Sequence, residues 1–229
     1  MSKTYSAMKV NIGNFILDTS TQMATLIGNW INDSYRDISR YYSWSSLINF
    51  DYTFSTVANT ATYTLPTDFE QEIFVANLTD GSMLKGYTEG DWFIQRYPAY
   101  QAGTISAGTS INYLILREAG QIQLDPKPDA VKTIGMPYKK LVTALSGDTD
   151  TVSIPDIEII LEYRAISEAL AYKKQYEKSE YYRQKSEEEL KKRISQDKAR
   201  RNIAYQRIPL NYGISQRVRM LGNNSYDTI

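Results

Sequence analysis

Apolar residues at the start of the chain recur at the spacing of two amphipathic helices. The first stripe lies between residues 5 and 17. The second begins at Met23, behind a T-x-x-Q capping pattern formed by Thr19 and Gln22, and ends near Tyr42. We therefore predict two helices before any strand.

The period changes from helical to strand-like at Ile48. From Ile48 to Phe54 apolar and polar residues alternate strictly, which is typical of a half-buried strand. Short apolar runs separated by turn residues predict further strands at residues 61–65, 72–78, 83–87, 110–116, 121–124 and 134–145. Strands of this length favour an antiparallel sandwich or a small barrel over βαβ units.

The last part of the chain carries the longest uninterrupted helical pattern. Ser153 and Asp156 resemble a capping box, and Pro155 suits the first turn of a helix. No Gly or Pro then occurs before Pro209. We predict a single helix from Ser153 to about Ala204, which would span roughly 70 Å.

The two halves of this predicted helix differ in character. The first half, to Tyr176, is apolar on two sides, and we expect Tyr172 and Tyr176 to belong to its core. The second half is mostly charged from Lys178 onward. Its few apolar side chains are predicted to form a surface between subunits, comprising Tyr181, Tyr182, Leu190 and Ile194.

Together these elements predict an α+β chain in which a β domain is inserted into a helical bundle. The bundle consists of two N-terminal helices in residues 1–47 and the long helix in residues 154–204. The inserted antiparallel domain, of sandwich or barrel type, occupies residues 48–153. Residues 205–229 have weak periodicity and several turn formers, so we expect an extended arm that needs a partner to become ordered.

Composition excludes most familiar enzyme classes. The 229-residue chain contains no Cys and no His, which excludes disulfides, thiol nucleophiles, zinc sites built from these residues and imidazole catalysis. The glycines form no nucleotide-binding pattern. We expect neither an enzyme nor a bound cofactor.

Two groups of carboxylates lie close enough in the sequence to suggest a site. Asp148 and Asp150 lack the further oxygen ligands of a Ca²⁺ loop, so a solvated turn is favoured over a metal site. Asp68, Glu70 and Glu72 have no spacing that separates an acid from a base. A carboxylate-based hydrolase is therefore the third hypothesis, behind two non-enzymatic ones.

Charge is balanced overall but unevenly distributed. The chain has 26 basic and 26 acidic residues, and the part after Asp156 is the more basic. The run from Lys191 to Arg201 is interleaved with acidic residues, which favours a salt-bridged, solvated face. A nucleic-acid-binding module that uses this basic end remains the alternative function.

No segment of the sequence is long and apolar enough to suggest a membrane span, which needs about 18 such residues, and the N-terminus has no signal core. We expect a protein made and kept in a cytosol-like compartment. The chain contains 19 tyrosines, and such rings are favoured at protein interfaces because one end can be dry and the other wet.

The order of several motifs resembles the adaptor or head-completion proteins of tailed bacteriophages. The likeness covers roughly residues 4–195. Five features carry the likeness, the first being the two opening helices that end at Trp44. Two motifs in the β region follow, Tyr63-Thr64-Leu65-Pro66-Thr67-Asp68-Phe69 and Ile122-Gln123-Leu124-Asp125-Pro126-Lys127-Pro128. The last two are Leu145-Ser146 followed by Ile154-Pro155, and the stretch with Ala165, Ala169 and Tyr172.

The resemblance implies a structural protein of the virion neck, made in the host cytoplasm and not bound to a membrane. It implies a homo-oligomeric ring, a dodecamer, that joins the portal protein to the next tail or neck protein and extends the channel for DNA ejection. The bundle would form the ring, the β domain would face the tail or the outside, and genomic DNA would lie in the channel without specific contacts. The C-terminal arm would dock on the portal, through Arg207, Tyr212, Arg217 and Arg219.

Overall fold

The computed structural model describes residues 2–96, 98–99 and 107–206. In this part of the chain, helices and antiparallel sheets are both present, which confirms the predicted α+β class. Two hydrophobic cores are formed, one among the helices and one among the strands.

The helices that surround the first core come from both ends of the chain. The helices are α1 (Tyr5–Phe15), α2 (Thr21–Tyr41), α3 (Glu89–Gln95), α4 (Glu158–Tyr172) and α5 (Tyr176–Gln206). All except α3 contribute buried side chains to the first core, and α4 packs against α1, α2 and α5. The two helices from the start of the chain, α1 and α2, thus both contact α4.

The start of α2 is capped one residue later than predicted. Ser20, and not Thr19, has the extended backbone of an N-cap, and its Oγ accepts a hydrogen bond from the Met23 N–H at 3.3 Å. The Ser20 hydroxyl in turn donates to Asp18 at 2.9 Å. The carboxylate of Asp18 therefore orients the capping residue.

The prediction of one very long helix is wrong, because the chain reverses between Tyr172 and Tyr176. Lys174 adopts a left-handed backbone with φ of 59°. The Lys174 N–H donates to the Ala171 carbonyl at 2.9 Å, and the Gln175 N–H donates to the Leu170 carbonyl at 2.8 Å. These two bonds form a Schellman motif, which ends α4 at a residue where glycine is the usual choice.

The predicted capping box at Ser153 is also wrong. Helix α4 begins at Glu158, and its N-cap Ile157 makes no side-chain capping bond. Asp156 has a φ of 57°, so Pro155 and Asp156 form a turn before the helix. Arg193 from α5 holds this turn by donating to the Pro155 carbonyl at 2.8 and 3.0 Å.

After the reversal, α5 packs antiparallel to α4 and does not project as a continuation of it. Near the turn, Ser167 donates to the Ser179 carbonyl at 2.9 Å, while Arg193 reaches the chain just before α4. Between these two points Ser186 is fully buried, and its small side chain lets the helices approach closely. Leu190 enters the first core on the same side of α5.

Two buried carboxylates on α4 are hydrogen-bonded by residues near the beginning of the chain. Lys3 donates to both carboxylate oxygens of Glu162, at 2.7 and 2.9 Å, and Asn11 donates to the same group at 3.0 Å. Glu158 accepts a hydrogen bond from Ser2. Because a buried charge without a partner is costly, these contacts attach the N-terminal residues to α4.

The strands form three antiparallel sheets. The strands are β1 (Ile48–Asn49), β2 (Thr53–Ser55), β3 (Thr62–Thr64), β4 (Phe69–Glu72), β5 (Ala76–Asn77), β6 (Ser82–Met83), β7 (Asn112–Leu116), β8 (Gln121–Asp125), β9 (Thr133–Gly135) and β10 (Tyr138–Lys140). Their orders are β1-β10-β4, β2-β9-β5-β6 and β3-β8-β7. Within the described residues, none of these sheets closes into a barrel.

Several predicted strands are divided in the structure. The alternating run from Ile48 becomes β1 and β2, which lie in different sheets. The side chain of Asn49 accepts the Asp51 N–H at 3.2 Å and turns the chain between them. The run from residue 134 is divided into β9 and β10 at Pro137, which cannot donate a ladder hydrogen bond.

The chain returns to the helices after β10. Asn32 of α2 brackets the backbone of Leu145, since its amide donates to the Leu145 carbonyl at 3.0 Å and accepts the Leu145 N–H at 2.8 Å. Leu145, Val152 and Ile154 all belong to the helical core. The segment between the last strand and α4 therefore packs with the helices.

Candidate assembly interface

The described residues contain no group of three or more carboxylates that could hold a metal ion. In the same ranges, no helix combines the length and apolar character that crossing a membrane requires.

The carboxylates considered from the sequence are engaged in structural contacts. Asp150 accepts the backbone N–H groups of Ser146 and Gly147, each at 2.7 Å, and these hydrogen bonds lower the pKa of the Asp150 carboxyl. Asp148 faces Lys9 at 3.4 Å. The two residues therefore stabilise a turn next to α1.

In the second group, the carboxylates are likewise paired. Asp68 accepts a hydrogen bond from the Tyr138 hydroxyl at 2.7 Å. Glu70 lies 3.1 Å from Lys139, and Glu72 lies 3.3 Å from Arg117. These contacts join β4 to its neighbours and do not isolate an acid and a base in a common cleft.

The outer face of α5 neutralises much of its own charge. Arg183 donates to Glu180 and to Glu187, each at 2.7 Å, and Lys192 donates to Glu189 at 2.7 Å. Hydrogen bonds from Arg183, and next from Gln184, lower the pKa of Glu180 to about 2. Within the predicted run from Lys191 to Arg201, Lys192 forms such a pair, whereas the pairs of Arg183 lie before that run.

The basic end of α5 differs from this face. Asp197 is the last residue of α5 with a described hydrogen bond to the body of the molecule, and it accepts from Ser45. Lys198 and Arg200 are exposed and form no ion pair with any described residue. The helix therefore changes from self-paired to unpaired charge where it leaves the body.

The four residues predicted to lie between subunits all lie on α5, but they differ in burial because α5 folds back against the other helices. Leu190 is buried in the helical core, and Tyr182 and Ile194 pack against that core half-buried. Tyr181 is 53% exposed. Of the four, Tyr181 has the most accessible side chain, because the others face α4 and α1.

Tyr181 belongs to a group of rings that the sequence pattern does not connect. The Tyr182 ring centroid lies 5.3 Å from that of Tyr181, 5.2 Å from that of Phe15 and 5.8 Å from that of Tyr163. Phe15 is 48% exposed although it ends α1. We call Phe15, Tyr163, Tyr181 and Tyr182 the aromatic cluster.

A single cation covers the aromatic cluster. The ammonium group of Lys185 lies 4.9 Å from the Tyr181 ring centroid and 5.7 Å from that of Tyr163. Contact with Tyr181, mainly a hydrogen bond, raises the pKa of Lys185 above its ordinary value. Phe15 and Tyr163 could not be assigned to this surface from the sequence, because only the reversal after Tyr172 brings α5 back to α1.

The prediction that Tyr172 and Tyr176 are core residues is wrong. Both are exposed, since they lie at the end of α4 and the start of α5 and not in the middle of a continuous helix. The Tyr172 ring lies tilted against the Trp30 ring, with centroids 6.1 Å apart. The corner of the helical hairpin therefore adds further exposed rings beside the helices.

The predicted portal-docking residues lie outside the described residues. They are Arg207, Tyr212, Arg217 and Arg219, all beyond the end of α5 at Gln206.

Comparison with known proteins identifies the family. The family model described as SU10 adaptor protein matches residues 3–209, which is nearly the whole chain. No curated protein matches the chain. The resemblance to phage adaptor proteins, predicted from the order of motifs, is confirmed, and the chain belongs to the SU10 adaptor protein family.

Proposed function

We propose that this chain forms a closed ring of identical copies that joins the portal to the next tail or neck protein of the virion. Family membership gives the coarser role, that of a non-enzymatic structural adaptor that works with other virion proteins of a bacteriophage. To this role we add, as our proposal, a ring of twelve copies that sits on the portal and leaves a passage for DNA.

The exposed aromatic cluster is the observation that best supports an oligomeric ring. Tyrosine is enriched at protein interfaces because a rigid ring buries a large area at a small cost in conformational entropy. Here several rings meet on a surface formed by α1, α4 and α5, with Phe15 and Tyr181 about half exposed. A contact of identical copies repeated around an axis would bury this surface in every copy.

A DNA channel lined by self-neutralised charge would let DNA pass without binding it tightly. On the outer face of α5, Arg183 and Lys192 are already paired with carboxylates of the same helix. Affinity for a duplex depends on cations that are free to neutralise phosphates. The paired face of α5 is therefore compatible with passage and not with strong attachment.

For portal docking we propose the segment that starts at Lys198. Lys198 and Arg200 directly follow Asp197, whose hydrogen bond with Ser45 is the last described contact of α5 with the rest of the molecule. They precede the basic residues of the C-terminal arm. Their partner on the portal would present carboxylates, since charge complementarity guides the register of an interface. Residues 48–153 would face the tail side.

Co-sedimentation with purified portal of the same particle tests the ring. We expect the chain to sediment with the portal and to appear as a ring in electron micrographs. The Tyr181→Asp variant should lose most of this association, whereas Tyr41→Asp, at an exposed tyrosine at the end of α2, should retain it. Absence of the wild-type chain from the portal fraction would contradict the proposed function.

Deletion of residues 207–229 tests the docking arm. This variant keeps every helix and strand among the described residues, so we expect its fold to be retained, as checked by circular dichroism. Binding to the portal should be lost. Retention of full portal affinity by the shortened chain would refute the role of the arm without affecting the ring.

Binding of nucleic acid is the second candidate function, because Lys198 and Arg200 are exposed and unpaired among the described residues. A nucleic-acid-binding protein would show affinity for duplex DNA that falls steeply with salt. The Lys198→Gln, Arg200→Gln double variant would then bind more weakly and with a smaller salt dependence. An adaptor ring should show only weak, non-specific association, unchanged by this substitution.

A further inference from the structure

A second apolar surface lies on the outward face of the β2-β9-β5-β6 sheet. The ladder pairs Ser55 with Thr133 and Ala76 with both Gly135 and Met83. Side chains alternate between the two faces of a sheet, so these residues share one face. The opposite face carries Phe54 and Ile134, which pack in the second hydrophobic core.

The same register extends beyond the ends of the strands. The Thr56 N–H donates to the Lys132 carbonyl at 2.8 Å, which places Val57 beside Val131 on the outward face. The Leu78 N–H donates to the Thr133 carbonyl at 2.8 Å, which continues β5 in the same way. We define the sheet face by its outward residues, which are Thr53, Ser55, Val57, Ala76, Leu78, Met83, Val131, Thr133 and Gly135.

The sheet face is exposed, apolar and without charge. Val131 is 69% exposed and Met83 57%, and Val57 and Leu78 are also more than half exposed. None of the outward positions carries a charged residue, although charged residues make up 23% of the chain. Apolar patches of this kind on a soluble domain mark sites of interaction.

Leu78 covers the centre of the sheet face. A Cβ atom added at Gly135 would lie 3.1 Å from Leu78 Cδ1, so the Leu78 side chain lies directly over the glycine, and Ala76 is also buried. The small or hydroxyl-bearing residues Thr53, Ser55 and Thr133 are exposed. Exposed aliphatic side chains beside such residues form a surface on which the planar ring of an aromatic residue can pack.

We propose that the aromatic cluster of one copy packs on the sheet face of a second copy of this chain. This inference rests on the proposed ring. A ring that closes by rotation uses a head-to-tail interface, which requires two different surfaces on every copy. The aromatic cluster lies on the helical region and the sheet face lies on the β region, so one copy can offer both at once.

The cost of burying charge at this contact is reduced on the side of the aromatic cluster. Burying an unpaired charge against an uncharged face would cost several kcal/mol. Arg183 is already bound by Glu180 and Glu187, and the contact of the Lys185 ammonium with the Tyr181 ring offsets part of the cost for Lys185. Tyrosine hydroxyls of the cluster can also exchange hydrogen bonds with the Thr and Ser hydroxyls of the sheet face.

Cross-linking between introduced cysteines tests this contact directly, because the chain has no cysteine of its own. The Met83→Cys, Tyr181→Cys double variant is assembled on purified portal and treated with a short bismaleimide. We expect a ladder of covalent multimers on a denaturing gel. A mixture of the two single variants should yield dimers only, since each copy then carries one reactive group.

The single variants and a matched pair provide the controls. Met83→Cys alone and Tyr181→Cys alone should remain monomeric on the gel. The Ile94→Cys, Tyr181→Cys double variant should also give no ladder, since Ile94 is a highly exposed residue of α3 outside the sheet face. Dimers from Met83→Cys alone would show that the sheet face pairs with itself, and would overturn the proposal.

Substitution by a charge gives a second, independent readout. Met83→Asp places a carboxylate on the uncharged face and should reduce the amount of ring on the portal at least tenfold, while Ile94→Asp should not. Portal-bound rings without a cross-linked ladder, or rings unaffected by Met83→Asp, would refute this contact and leave the ring intact. Failure of the wild-type chain to bind the portal would instead refute the proposed function.

Discussion

The helical region and the β region are stabilised in different ways. The helical core is one continuous set of aliphatic and aromatic side chains that extends from α1 to Leu190 of α5. The β core is smaller, and its strands are at most five residues long. Hydrogen bonds of polar side chains also stabilise the β region. For example, the Tyr63 hydroxyl accepts the Val57 N–H and donates to the Thr60 carbonyl, both at 2.9 Å.

This difference shows where each region is sensitive. A long helix forms its own backbone hydrogen bonds, and one apolar stripe is enough to pack it against neighbouring helices. Short strands bury little area each, so specific side-chain bonds must fix their register. We expect volume changes to be most damaging among the helices, and losses of polar partners to be most damaging among the strands.

The largest expected effect is a cavity in the helical core. Leu161 is fully buried in the helical core, and Leu161→Ala should lower the free energy of unfolding by about 3 kcal/mol. Ile159→Ala, at a partly exposed position of the same helix, should cost less than about 1 kcal/mol. Urea unfolding measures both, and equal losses would contradict the assignment of the core.

A comparable loss is expected when a buried ion pair of the β region is broken. Arg96 donates to both oxygens of Asp125, at 2.7 and 2.9 Å, and Asp125 is 3% exposed. Arg96→Gln leaves this carboxylate without its cation and should cost about 3 kcal/mol.

Arg117→Gln is the matched control for Arg96→Gln. Arg117 pairs with Glu72 near the surface, so its loss should cost about 0.5 kcal/mol. Both variants are measured by urea unfolding under the same conditions. If both variants lost the same free energy of unfolding, the β region would not depend more on its buried polar partners than on its exposed ones.

A smaller effect is expected where α5 approaches α4. Ser186 has no exposed surface, and Ser186→Leu should destabilise the hairpin by about 2 kcal/mol through overpacking. Ser195→Leu, at an exposed position of the same helix, should be nearly neutral. Limited proteolysis of α5 provides the measurement, and equal protection of both variants would argue against close packing at Ser186.

The smallest expected effect concerns acid pH on the outer face of α5. The pKa of Glu180 is lowered to about 2 from an ordinary value of 4.5, chiefly by Arg183. The stabilisation from this pair is therefore complete above about pH 4.5 and is lost as the pH falls toward 2. A carboxyl titration followed by NMR measures the midpoint of Glu180.

Arg183→Gln should raise that midpoint toward its ordinary value, and Lys192→Gln, which removes a different pair, should leave it unchanged. An unchanged Glu180 midpoint in Arg183→Gln would show that the pair does not persist in solution.

The sequence predicted the helical stripes and the α+β order because hydrophobic periodicity determines both. It did not predict the reversal at Lys174, where a lysine occupies a left-handed position that glycine or asparagine usually marks. The aromatic cluster depends on that reversal, since Phe15 and Tyr182 meet only when α5 returns. The sheet face depends on strand register, which a pattern of short runs does not specify.

The polar contacts at the far end of α5 have a mechanical consequence. Asp197 accepts from Ser45 just before the first strand, and Arg193 holds the Pro155 carbonyl just before α4. The entrance to the β region, the start of α4 and the exit of the C-terminal segment are thus fastened at one end of the helices. A force applied to the C-terminus is shared between two other points of the chain before it reaches the hydrophobic core.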